Sequence, residues 1–212
     1  MKLKRLTALL LAALMLVSLA ACGRKAEDPS VVVRLYESFL KAPGLKDFSE
    51  LVAGDLAGDP MYRFMKAYFQ LIGMSEEDFA KDAASDVEGT KLRENTVKDL
   101  TKEELAAYQD EVAAALEHYR SLLADLKDTT DEGWAMTAED YGMSPEETIA
   151  LGKEEIAALE DIIAALDGLK IDQGKRVTIT TERAGGGTEE QEFCFFLAGD
   201  RWFTDLLLEI NL

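Results

Sequence analysis

Histidine is almost missing from this 212-residue chain: His118 is the only one, beside two cysteines, Cys22 and Cys194, and four prolines. One imidazole and so few thiols leave too little for a zinc site built from Cys and His. They also leave little for a nucleophile paired with a histidine base. Basic residues are scarce too, 23 Lys and Arg against 41 Asp and Glu, for a formal charge of −18. Nucleic-acid binding depends on neutralising phosphates, so a surface this acidic argues against it. There is no Gly-rich phosphate loop, no Gly-x-Ser-x-Gly elbow and no EF-hand spacing of acids. No apolar run reaches the roughly 20 residues that a spanning helix needs.

The first 22 residues have a distinct pattern. Lys2, Lys4 and Arg5 precede sixteen uncharged residues, Leu6 to Ala21, mostly Leu and Ala. A basic start, an apolar stretch and small residues at its end describe a secretory signal. The stretch closes on Leu19-Ala20-Ala21-Cys22. These residues resemble the lipobox of bacterial lipoproteins, which implies a diacylglyceryl thioether on Cys22 and cleavage before it. The expected boundaries are a signal peptide over 1–21, a lipidated Cys22 with a short tether to residue 28, and one α+β domain over 29–212. Loss of residues 1–21 removes three basic residues, so the formal charge moves from −18 to −21 over the remaining 191 residues. The polar stretch Gly23 to Asp28 spans at most about 20 Å when extended. With Cys22 lipidated, Cys194 has no partner, and its place in Phe193-Cys194-Phe195-Phe196 suggests a buried, inert thiol.

The domain reads as helices over about 29–168 and strands over about 170–212. Asp28-Pro29 opens a first helix whose apolar residues recur at helical spacing, and Pro43-Gly44 stops it. Asp47 and Glu50 suggest a short helix from Phe48 to Val52, with breaks at Gly54, Gly58 and Pro60. Met61 to Ile72 is helical and rich in aromatic and Met residues. Ser75 with Asp78, Thr101 with Glu104, and Ser144-Pro145 with Glu147 have the spacing of helix N-termini. Gly89 to Leu100 reads as a strand, and Lys127 to Met143 as a loop. Val177 and Ile179 alternate with Thr178 and Thr180, then Ala184 to Gly187 forms a hairpin loop. Phe193, Phe195 and Leu197 are expected on one side of the next strand. Gly199-Asp200 turns into a third, Arg201 onward. The expectation is a C-terminal antiparallel meander of three strands, or four with the earlier one.

Gly199-Asp200-Arg201-Trp202-Phe203 is similar to the turn and aromatic strand that close many small bacterial lipoproteins of the nuclear-transport-factor-like or cystatin-like type. Thr96 to Val112 resembles a strand-then-helix stretch of the same proteins. The resemblance implies a curved sheet wrapped around helices, here with extra helical segments at 60–84 and 144–168. It brings no catalytic residues, because no enzymatic motif of that group is matched.

Tyr62, Met65, Phe69, Trp134 and Tyr141 are candidates for an apolar pocket lining, with core packing as the competing explanation. The acidic clusters at Ser75 to Asp78 and Asp128 to Glu132 are accounted for by helix caps and solvated faces, and no metal site or cofactor is expected. Together with the lipobox resemblance, the expectation is a protein held to the bacterial cell envelope by a diacylglyceryl anchor on Cys22, outside the cytoplasm. There it would bind a small apolar ligand or an envelope protein without catalysis. The alternatives are an enzyme with a cone-shaped pocket using His118 as general base, and a structural spacer at the cell surface.

Overall fold

The structure is a computed structural model and describes residues 28–209. Cys22 and the lipobox lie outside the described residues. The elements in order are α1 (Ser30–Lys41), α2 (Leu45–Leu71), α3 (Glu76–Val87), β1 (Lys91–Asp99), α4 (Lys102–Asp128), α5 (Asp131–Tyr141), α6 (Pro145–Leu166), β2 (Gln173–Glu182), β3 (Thr188–Ala198), β4 (Arg201–Thr204) and α7 (Leu206–Glu209). The class is α+β. The four strands form one antiparallel sheet in the order β1-β2-β3-β4.

The sheet is buried on both faces at its β3–β4 end. Val177, Ile179, Phe193, Phe195, Leu197 and Trp202 pack with Val32 and Tyr36 of α1 and Leu51 of α2. Cys194, Phe196, Ala198 and Phe203 point the other way, into a layer made by α2, α4 and α6. The period of two holds along β3, yet both registers are apolar because both faces are covered. Phe193, Phe195 and Leu197 therefore share a side as expected, and Cys194, Phe196 and Ala198 fill a second core. Fully burying a side chain the size of Phe contributes about 1.5–3 kcal/mol.

Three helices start with complete capping boxes, at Ser75/Asp78, Thr101/Glu104 and Ser144/Glu147. Three expectations change. Residues 127–143 are not a loop, because they contain α5: the Thr130 hydroxyl caps the Gly133 N–H, Asp131 and Glu132 occupy the first turn, and Gly142 ends the helix at φ 67°. The short helix and the aromatic helix are one element, α2, which starts at Leu45 and carries a kink with non-helical backbone at Gly54 and Ala57. Pro60 is tolerated because it lies in the first turn after that kink, where a backbone N–H lacks a helical partner. The third strand of the meander ends at Thr204. The Asp205 N–H still bonds the Cys194 carbonyl at 3.0 Å, and the chain then turns into α7.

The kink wraps α2 around the β4 edge. The Trp202 N–H donates to the Asp55 carboxylate at 2.5 Å. The Thr204 hydroxyl donates between the Leu51 and Val52 carbonyls, at 3.0 and 2.8 Å. At Gly54 φ is 56° and a Cβ would collide with the Trp202 carbonyl, so only glycine fits there.

Candidate functional site

α2 and α6 pack side by side in opposite directions. Arg63 of α2 ties their register, reaching Glu154 at 3.2 Å and Asp161 at 2.5 Å on α6 and Asp59 on its own helix. Where the C-terminus of α2 meets the N-terminus of α6, a groove of about 490 Å³ opens, lined by Gln70, Gly73, Met74, Ser75, Met143, Glu147, Ala150 and Leu151. Its size falls within the range of small-molecule sites, roughly 300–1,000 Å³.

The two walls of the groove are built by the same local sequence. Gly73-Met74-Ser75 and Gly142-Met143-Ser144 each join two helices. Both glycines are left-handed, at φ 78° and 67°. In both, the methionine N–H reaches back five residues, Met74 to Phe69 at 2.8 Å and Met143 to Ala138 at 3.0 Å. This closes each helix in a Schellman end. In both, the serine then caps the next helix. The result is a flexible thioether delivered from each side to one groove, which suits irregular apolar shapes. Sequence reasoning missed these residues. The signal was the twofold Gly-Met-Ser followed by acids.

Of the five residues expected to line a pocket, Tyr62, Met65, Phe69 and Trp134 do not line this groove. Met65 is buried in the core, where its sulfur accepts from Ser49 at 3.7 Å. The Tyr62 hydroxyl donates to Glu76 at 2.8 Å, and Lys66 reaches the same carboxylate at 2.7 Å. Lys66 holds the Glu76 carboxyl below its ordinary range. Phe69 packs against Phe79 with ring centres 5.6 Å apart. Trp134 lies on Gly152 of α6, where a Cβ would meet the indole at 2.6 Å. These four residues join helices rather than line the groove. Tyr141 is the last residue of α5, and its side chain lies outside the described set.

His118 is exposed on α4, with the Tyr119 ring 6.0 Å away. It does not line the groove. Cys194 is 1% exposed, its sulfur is 3.1 Å from the Tyr108 hydroxyl, and burial pushes its thiol up to about 11. A thiol held protonated in this way is a poor nucleophile. Glu155 of α6 is 4% exposed, and burial raises its carboxyl to about 7. Among the described residues, no three or more His, Cys, Asp or Glu are placed to hold a metal ion. No helix among them is long and apolar enough to cross a membrane.

Comparison with protein-family models, with curated proteins and with solved structures gave no match.

Proposed function

We propose that this chain is a lipid-anchored extracytoplasmic binding protein of the bacterial envelope, which takes a small apolar ligand in the α2–α6 groove. It would be related to the nuclear-transport-factor-like or cystatin-like lipoproteins that its C-terminal turn and strand resemble. The observation that carries the binding reading is the groove itself, mainly apolar in its lining and with Met74 and Met143 contributed by matching loops. Gln70 adds an amide to the lining that would orient a ligand, while Ser75 and Glu147 are held by their capping boxes. The anchor reading is supported by Leu19-Ala20-Ala21-Cys22 after a basic and apolar start. Two acyl chains hold a protein at a bilayer far better than one, since each buried CH₂ contributes about 0.8 kcal/mol.

Mass spectrometry of the full chain purified from membranes tests the anchor. The expected N-terminal peptide begins at Cys22 and carries a diacylglyceryl group; an unmodified Cys22 contradicts it. A fluorescent apolar probe titrated into the Cys22→Ser chain tests the groove separately. Ala150→Arg, a change at an exposed position, should reduce probe binding at least tenfold. Equal binding by both chains rules the groove out as the site.

A further inference from the structure

We propose that β1 is the contact strand of a symmetric dimer, pairing antiparallel with β1 of a second copy of this chain about an axis through Thr96. The sheet has two edges, and β4 is sealed by Asp55 and Thr204 at the kink of α2. β1 is nine residues long, and among the described residues its outer side has no such hydrogen-bonded cover. Asn95, Thr96, Val97, Lys98 and Asp99 are all exposed, and Val97 is 44% exposed, one of only three large apolar side chains that open to solvent among the described residues.

The hydrogen-bond pattern fixes which backbone groups are free to pair. The Leu100 N–H donates to the Gly174 carbonyl at 3.0 Å, and the register of β1 on β2 runs unbroken from that pair back to Glu94 opposite Thr180. Directly opposed residues in an antiparallel ladder alternate between bonded and non-bonded pairs. Thr96 and Lys98 therefore turn their N–H and C=O toward β2, while Asn95, Val97 and Asp99 turn theirs outward. A second β1 centred on Thr96 sets Asn95 opposite Val97 of the other copy, and Val97 opposite Asn95, so the two outward sets bond each other.

Charge selects this register. Centred on Thr96, Arg93 stands opposite Asp99, twice by symmetry, and each of the two also bridges to β2, Arg93 to Glu182 at 3.0 Å and Asp99 to Lys175 at 2.6 Å. Opposite charges and Thr–Thr pairs facing across strands are favourable. Shifting the axis to Lys98 puts two like charges face to face. Lysine and bulges on an edge commonly keep strands from pairing. Here the bulge lies between Leu92 and Glu94, near the start of the strand and away from the axis at Thr96. An isologous contact of this kind closes on itself and makes one eight-stranded sheet.

The test is cysteine cross-linking in a full-length Cys22→Ser background, which makes it independent of the lipid anchor and of the groove. Across the axis, Thr96 faces its own copy in a non-bonded pair with Cα atoms about 4.5 Å apart, within disulfide range. Thr96→Cys should form a disulfide-linked dimer under mild oxidation at least tenfold faster than Lys98→Cys, whose two copies lie four residues out of register. Mixing Lys98→Cys with Glu94→Cys chains should restore the fast cross-link. A Thr96→Cys chain that stays monomeric overturns the pairing, including the case in which β1 takes a strand from another protein. Equal rates for Thr96→Cys and Lys98→Cys overturn it as well.

Discussion

The two edges of the sheet are made from the same kind of backbone and treated in opposite ways. β4 has four residues, and its outer side meets specific groups of α2: Asp55 on the Trp202 N–H, and the Leu51 and Val52 carbonyls on the Thr204 hydroxyl. β1 has nine residues and keeps its outward groups in solvent. A short edge can be closed by side chains because a kinked helix passes directly over it. A long edge cannot be closed by one kink, so it is protected by charge and a bulge, or used for pairing. Stability is thus concentrated at one edge and exposure at the other.

Four substitutions would break or sharpen that contrast. Gly54→Ala forces a side chain into a backbone region reserved for glycine and against the Trp202 carbonyl. It should destabilise the fold by about 3–5 kcal/mol, lowering Tm by roughly 6–20 °C in a scanning calorimeter. A chain that melts like the parent would show that the kink does not hold β4.

Glu155→Gln probes the buried side of α6. The folded carboxyl sits at about 7 against an ordinary value near 4.5. Between those values the folded chain keeps a proton that the unfolded chain has released, so stability falls as pH rises through the window and levels off above it. Glutamine removes this slope. The variant should match the parent near pH 4 and exceed it by about 2–3 kcal/mol near pH 8 in denaturant titrations. Parallel pH profiles for the two chains would show that Glu155 titrates normally.

Thr204→Val keeps the shape of the side chain and removes the hydroxyl that closes the edge. The expected loss is about 1–2 kcal/mol, because a buried carbonyl is left without its donor. Val97→Thr, on the open edge, should change monomer stability by less than about 0.5 kcal/mol. A larger loss would mean that β1 is packed from outside even in the monomer.

How much of this could be read from the sequence depends on range. The Ser75, Thr101 and Ser144 capping boxes were legible because each is a contact between residues three apart. β2 and β3 were legible because the apolar period changes to two. The kink of α2 was half legible: Gly54 and Pro60 signal a break, but only the long-range contact with Trp202 decides that the chain bends rather than ends. α5 was missed because Gly133 and its acids look like a loop, whereas Thr130 caps it and Trp134 anchors it on Gly152, eighteen residues away in the chain. The groove was missed for a related reason. Sequence points to large aromatic residues, and Tyr62, Met65, Phe69 and Trp134 are consumed in joining helices. The lining comes from the ends of helices, where Gly73 and Gly142 turn the chain and set Met74 and Met143 facing one space.

Residue-resolved amide hydrogen exchange on the Cys22→Ser chain, diluted until it is monomeric, compares the edges most directly. The Trp202 N–H, held by Asp55, should exchange as slowly as the core amide of Phe203. The Val97 N–H, turned outward on β1, should exchange roughly a thousandfold faster. Equal rates at Trp202 and Val97 would contradict the account of one sealed and one open edge.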